Sequence, residues 1–167
     1  MKVQSIRAIM QALNQRDVRF LVVGGLAVVA HGYGRVTFDL DLVLDLQPEN
    51  IRQAWFALES LGFRPRVPVT ADQFSDAALR AQWVREKGMT VLNLYSELHP
   101  ATAVDIFASE PFDFSATLAK AERAPLGDGA DFSYVDLDTL ILMKQLAGRA
   151  KDLDDIEQLR RLRDETG

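Results

Sequence analysis

The sequence predicts an α/β (α+β) domain, a mixed β-sheet flanked by helices and followed by a short helical C-terminal segment. Three observations carry this reading. Residues 36–46 alternate with a period of two, placing Leu40, Leu42, Leu44 and Leu46 on one face and Asp39, Asp41, Val43 and Asp45 on the other, which is a strand. Residues 3–15 instead space Val3, Ile6, Ile9, Met10 and Leu13 as one face of a helix. Strand-like and helix-like segments then interleave along the chain instead of falling into separate blocks.

The elements follow in order. After the first helix, Phe20-Leu-Val-Val23 is a short β-branched run, read as a buried strand and broken by Gly24-Gly25. Leu26 to Ala30 forms a small-residue helix ending near Gly32 and Gly34. Beyond the alternating strand, Pro48 sits in the first turn of a helix carrying Ile51, Trp55, Leu58 and Leu61, stopped by Gly62. Residues 76–86 are helical with Ser75 as N-cap. Met89–Tyr95 and Ala101–Phe107 are strands joined by a turn at Glu97–Pro100. A short helix near 113–120 and a hairpin around Gly127-Asp128-Gly129 come next. Asp136 caps a helix over 137–147, Gly148 ends it, and a last helix runs over about 152–163.

Composition narrows the chemistry. The 167 residues predict one domain, 1–167, with a core at about 18–110 and C-terminal helices at about 136–163. An apolar share of 48% with 26% charged residues excludes a disordered, collagen-like or coiled-coil chain. The chain has no cysteine, which excludes disulfides, thiol nucleophiles, Cys-type zinc sites and Cys-ligated clusters. Two histidines, His31 and His99, do not make a His-rich metal site. A net charge of −5 gives no bulk attraction to nucleic acid or to an anionic membrane. The longest apolar run, Phe20–Ala30, is far shorter than the roughly 20 residues of a membrane span. Arg7 and Arg16 interrupt the N-terminal segment, so no signal peptide is expected and the predicted location is cytoplasmic. The remaining chemistry rests on carboxylates.

Three features stand out. Glycines at 24 and 25, between a strand and a helix, let backbone N–H groups approach an anion at a helix N-terminus; a plain tight turn explains them equally. Asp39-Leu40-Asp41 puts two carboxylates on one strand face. Such a pair suits an oxygen-ligated divalent metal, Mg²⁺ above all, and its bland alternative is a solvated strand face. Asp105 is the lone charge in Thr102–Ala108. A carboxylate in an apolar strand needs a partner, either a metal shared with Asp39 and Asp41 or a buried arginine.

Taken together, Val23-Gly24-Gly25, a thirteen-residue spacer, Asp39-Leu40-Asp41 and a later strand aspartate resemble the DNA polymerase β-like nucleotidyltransferase superfamily. Its signature is a hydrophobic residue, Gly, then Gly or Ser, a spacer, and Asp-x-Asp or Asp-x-Glu, with a third carboxylate on a later strand. Asp105 matches that third position by context alone. The stretch 24–41 is similar to the small bacterial branch, which includes abortive-infection (AbiEii-like) toxins and antibiotic nucleotidyltransferases. Met143-Lys144…Gly148-Arg149-Ala150-Lys151-Asp152…Asp155 also resembles segments of those proteins, so the likeness spans about 20 to 160.

The resemblance implies the nucleotidyltransferase fold and transfer of a nucleoside monophosphate from a nucleoside triphosphate to an acceptor hydroxyl, releasing pyrophosphate. Asp39, Asp41 and Asp105 would hold two Mg²⁺ ions. Gly24 and Gly25 would cradle the β- and γ-phosphates. The acceptor would be a small molecule, a tRNA end or a protein. A homodimer, or a cognate toxin or antitoxin, is the implied protein partner. Only about 60 residues follow Asp105, so the acceptor site is built from the last two helices and residues 64–90, or is completed by a second subunit. The competing reading is a non-catalytic nucleotide-binding or interaction module that keeps the fold.

Other residues admit two readings each. Lys144 is the only charge between Asp138 and Arg149, either a phosphate ligand or a side chain snorkelling from the core edge. Arg35 and Thr37 share the acidic face if the strand starts early, and are otherwise loop residues. Arg149 and Lys151 are within reach of a triphosphate, or join Asp152 and Asp155 in an ion network with Asp152 as N-cap. His31 is read as structural or acceptor-side, His99 as a solvated turn residue, Trp55 and Trp83 as core, and Arg160, Arg161 and Arg163 as a solvated helix end.

Overall fold

The leucine side of the alternating strand decides the architecture. Leu40, Leu42 and Leu44 are at most 1% exposed, so the strand carrying them lies at the middle of a sheet. The computed structural model describes residues 1–167. Its elements are α1 (Val3–Gln15), β1 (Phe20–Val23), α2 (Gly24–Ala30), β2 (Asp39–Leu44), α3 (Pro48–Glu59), β3 (Arg64–Pro65), α4 (Ala71–Ser75) and α5 (Ala77–Lys87). They continue with β4 (Val91–Tyr95), β5 (Ala103–Phe107), α6 (Phe114–Ala119), β6 (Glu122–Ala124), β7 (Phe132–Tyr134), α7 (Leu137–Ala147) and α8 (Ala150–Thr166).

All seven strands form one mixed sheet, ordered β3-β4-β5-β2-β1-β7-β6. β2 runs antiparallel to β1 and parallel to β5, and β5 runs antiparallel to β4. Because side chains alternate, the register carries one apolar face across these strands. Leu40 pairs with Val104, and Leu42 with Ile106, which in turn faces Leu92. One cluster of buried apolar side chains joins these to Ile9, Met10 and Leu13 of α1 and to Ile51, Ala54 and Leu58 of α3. Replacing a fully buried leucine such as Leu42 by alanine costs about 2–5 kcal/mol in a core of this kind. No helix is long and apolar enough to cross a membrane.

The differences from expectation have local causes. β2 begins at Asp39, not at residue 36, so Arg35 and Thr37 are loop residues. α2 begins at Gly24, two residues earlier than its first apolar side chain suggests. Ser75 does not cap α5. It closes the short helix α4, donating to the Ala71 carbonyl at 2.7 Å, and Asp76 caps instead by accepting from the N–H groups of Ala78 and Leu79. α8 starts at Ala150, so Asp152 lies inside the first turn. Its carboxylate reaches back to the Arg149 N–H at 3.2 Å, satisfying one orphan donor from within the helix. His99 is not a solvated turn residue: its ring stacks on Phe63 at 5.6 Å and its Nδ1 lies 2.9 Å from the Ser5 hydroxyl. The elements β3 and α4 are additional to those expected.

Asp136 caps α7 as expected, accepting from the Thr139 N–H and hydroxyl. The turn at 127–129 joins β6 to β7, held by Asp131, which accepts from the N–H groups of Leu126 and Gly127.

Candidate active site

The polar side of β2 continues across its neighbours. Asp41 pairs in register with Asp105 on β5, and Asp105 pairs with Asn93 on β4. Side chains directly opposite in a sheet share a face. Three polar groups therefore stand side by side, with Asp39 two residues before Asp41 on the same face.

β1 brings a glycine turn against this row. Val23 pairs with Asp41, and Gly24 then turns the chain into α2 with φ +65°. A Cβ at Gly24 would lie 2.1 Å from Asp41 Oδ2. A Cβ at Gly25 would lie 2.5 Å from Thr37 Oγ1 and 2.9 Å from Arg35 Nη2. Both glycines are thus required by close approach, one to the strand carboxylate and the other to the loop before β2. Arg35 and Thr37 are loop residues by conformation, and they line the same cavity as the aspartates.

The C-terminal helices supply cations. Lys144 on α7 is buried, its Nζ 2.7 Å from Asp155 and 3.3 Å from Asp152 of α8. Arg149, in the turn between the helices, pairs with Asp152 at 2.7 Å. Arg35 reaches Asp155 at 3.1 Å. The Lys144–Asp155 and Arg35–Asp155 contacts are ion pairs without hydrogen-bond alignment, since Arg35 Nε and Asp155 Oδ2 have no hydrogen-bond partner. Three cations thus meet two carboxylates, leaving one positive charge in excess, and Lys151 adds another nearby. Burial alone would raise the Asp152 pKa, but Arg149 and Lys144 hold it below the ordinary carboxylate value.

One cavity of about 280 Å³ gathers these parts. Gly24, Gly25, Arg35, Thr37, Asp39 and Asp41 line it. Asp105, Lys144, Arg149 and Lys151 line it too, so the structure brings all ten sequence-predicted residues to one place. A larger cavity of about 520 Å³ lies across the Arg35–Thr37 loop, walled mainly by apolar side chains such as Ile6, Leu26 and Phe132. It lacks the carboxylates, so size alone does not mark the chemistry.

The acidic row is electrostatically loaded. Asp41 is pushed up to about 7, first by burial and then by Asp105 and Asp39, with Lys144 and Lys151 opposing. Burial also raises Asp105, opposed by a hydrogen bond from Asn93. Asn93 Nδ2 donates to Asp105 Oδ1 at 2.5 Å, and Arg66 Nε donates to Asn93 Oδ1 at 2.5 Å. The sequence reading misses Asn93 and Arg66. The available signal was Asn93 as the lone polar residue in Val91–Tyr95, at the alternation expected of a sheet face.

The donor set suits a hard divalent cation. Its oxygens are carboxylates, Asp41 finds no hydrogen bond or ion pair among its neighbours, and Gly24 leaves its carboxylate room. No three acidic or histidine side chains form a ready-made cage. Mg²⁺ is commonly held by one or two carboxylates with substrate phosphates completing its shell, which fits this arrangement.

His31 is structural. Its Nε2 lies 2.9 Å from the Val135 carbonyl, and its ring meets Tyr134 edge-on at 4.9 Å. Trp55 is buried on α3, Trp83 is half-buried on α5, and Arg160, Arg161 and Arg163 are exposed on α8.

This mixed sheet, with a glycine turn feeding a short helix beside the Asp-x-Asp strand and a third aspartate on its parallel neighbour, has a fold that solved nucleotidyltransferase structures share. The solved structures that share it include two of ANT(2'')-Ia. One is a crystal structure in complex with adenylyl-2''-tobramycin. It shares 15% identity and a TM-score of 0.58 over 98% of this chain and 95% of that one. The other is a solution structure of the antibiotic-resistance factor ANT(2'')-Ia, with 17% identity and a TM-score of 0.60 over 99% of this chain and 84% of that one. At such identity the likeness is one of fold. No protein-family model matches the sequence, and no curated protein matches it.

Proposed function

We propose that the protein is a nucleotidyltransferase that moves a nucleoside monophosphate from a nucleoside triphosphate to an acceptor hydroxyl. The observation that carries this reading is the register of Asp41 with Asp105 beside Asp39, set against the Gly24 turn and faced by Lys144, Arg149 and Lys151. Carboxylates and cations lining one cavity suit an anionic substrate joined to the aspartates by divalent cations.

Each residue has a task in this reading. Asp39, Asp41 and Asp105 would hold two Mg²⁺ ions, which when bound neutralise phosphate charge and favour the ionised acceptor oxygen. Gly24 and Gly25, lacking side chains, let Asp41, Thr37 and Arg35 close against the turn, so that these side chains and the turn meet the triphosphate together. The surplus positive charge of Arg35, Lys144, Arg149 and Lys151 orients the β- and γ-phosphates and favours pyrophosphate departure. Asn93 fixes Asp105 through Oδ1, leaving Oδ2 to receive the acceptor's proton. No cysteine or histidine is needed, because positioning and charge stabilisation supply most of such a reaction. The reading needs no toxin or antitoxin partner.

The test incubates the protein with nucleoside triphosphates labelled at the α-phosphate, Mg²⁺ and a cell extract, beside Asp39→Ala and Asp41→Ala. Label carried to an acceptor by the wild type alone is the expected result. Nucleotide binding without turnover would instead identify a non-catalytic module, and identical behaviour of all three without binding would overturn both.

A further inference from the structure

Behind the carboxylates, on the side away from Gly25 and Thr37, lies a second cavity of about 510 Å³. Its walls are Val91 of β4, Phe107 of β5, Pro111, and Met143, Leu146 and Ala147 of α7. The two cavities share only Asp41, Asp105 and Arg149. They are therefore two rooms meeting at the residues assigned to the chemistry, one mostly polar and charged, the other walled by apolar side chains away from those shared residues. A volume of this size is ordinary for a small-molecule site, which typically runs about 300–1,000 Å³.

Charge decides what the apolar room can take. Besides the two shared aspartates its lining holds no acidic side chain, and its one other charge is the Arg149 guanidinium. With Asp41 and Asp105 taken by divalent cations, as the functional reading has them, an ammonium group desolvated there would find no free carboxylate and would face the Arg149 guanidinium. Leu146 is 77% exposed, an apolar side chain held at the mouth. The ANT(2'')-Ia crystal structure, by contrast, holds adenylyl-2''-tobramycin, whose acceptor part is rich in amines.

We infer that the acceptor is a small hydroxylated compound with an apolar body and no amine, seated between β4, β5 and α7 with its hydroxyl at Asp105. This rests on the nucleotidyl-transfer reading above. The acceptor oxygen forms a bond to the α-phosphorus while the bond from that phosphorus to the α,β-bridging oxygen breaks. The electron pair leaves with pyrophosphate, and the hydroxyl proton passes to the Asp105 carboxylate. The site is built mainly from α7 and the strand ends, with Thr90 the only contribution from residues 64–90.

The experiment uses the full chain with Mg²⁺ and nucleoside triphosphates labelled at the α-phosphate. Acceptors are a set of amine-free aromatic and alicyclic alcohols, with tobramycin as the polycationic aminoglycoside, and water as the default acceptor. Leu146→Asp places a carboxylate at the mouth of the apolar room on an exposed position, where folding tolerates it. The expected result is label on alcohols and none on tobramycin. Leu146→Asp should lower kcat/KM for the alcohols at least tenfold while leaving nucleotide KM and slow hydrolysis to water unchanged. Label on tobramycin, an unaltered Leu146→Asp enzyme, or nucleotide turnover with no alcohol labelled would each overturn the inference while leaving nucleotidyl transfer standing. Failure to bind or consume any nucleotide would overturn the functional reading itself.

Discussion

Lys144→Met tests the cation cluster most directly. The side chain is 6% exposed and is shared by Asp152 at 3.3 Å and Asp155 at 2.7 Å. Methionine matches its length and apolar stem, so the change removes charge with little loss of packing. Removing one partner of a buried ion pair ordinarily costs about 3–5 kcal/mol, because the other charge is left uncompensated. Here Asp152 keeps Arg149 at 2.7 Å and Asp155 keeps Arg35 at 3.1 Å, which places the loss near the lower end, about 3 kcal/mol. For a domain of this size each kcal/mol moves Tm by about 2–4 °C, so the expected drop is about 6–12 °C by circular dichroism. Nucleotide KM should rise about tenfold as one charge-assisted phosphate contact disappears. The double variant K144M/D155N removes the stranded carboxylate as well and should recover part of the stability, with a coupling of about 1–3 kcal/mol. A Tm shift under about 2 °C, or a double variant no better than the sum of the singles, would show that Lys144 is not the centre of this network.

Three further outcomes follow from the same geometry. Gly24→Ala puts a Cβ 2.1 Å from Asp41 Oδ2 on a backbone at φ +65°; beyond about 1–2 kcal/mol of backbone strain, kcat should fall about 100-fold as the carboxylate is displaced, and near-native turnover would refute the close-approach argument. Asn93→Leu removes the donor to Asp105 without touching the nucleotide cavity, so kcat should fall about tenfold or more with nucleotide KM unchanged; a rise in KM alone would place Asn93 in binding instead. Asp41, raised from 3.8 to about 7, stays protonated in the metal-free fold up to that pH, and the stability it contributes is full below its unfolded value and lost as pH rises through about 7. Mg²⁺ must displace that proton, so Mg²⁺ should raise Tm more at about pH 8 than at about pH 6, and a pH-independent Mg²⁺ response would contradict the assignment.

Much of the site was readable because its residues break a strong local pattern. Asp39 and Asp41 interrupt a leucine strand at period two, Asp105 is alone among apolar neighbours, and Lys144 is the only charge between Asp138 and Arg149. Each is a charge placed where burial demands a partner. The glycines were visible as a break, but their reason was not. The turn reading and the close-approach reading differ only through Asp41, Thr37 and Arg35, which lie across the chain and enter through register. Asn93 escaped notice because an asparagine in a strand carries no charge to explain, and its meaning comes from pairing with Asp105. The elements β3 and α4, two and five residues long, are too short to display a period. Asp152 lies inside the first turn of α8 and not at its cap: an acidic residue serves equally well before a helix or within its first turn, and the ion network around it does not depend on which.

The pairing of Arg35 with Asp155 also has a consequence for synthesis. A nascent chain that has emerged only through α7 already holds the three strand aspartates and the glycine turn. It does not yet hold the two α8 carboxylates that fix Arg35, Lys144 and Arg149 in place. The acidic half of the site is thus spelled out early, while its cationic half waits for α8. A chain cut short before α8 would carry loose cations around a bare acidic row.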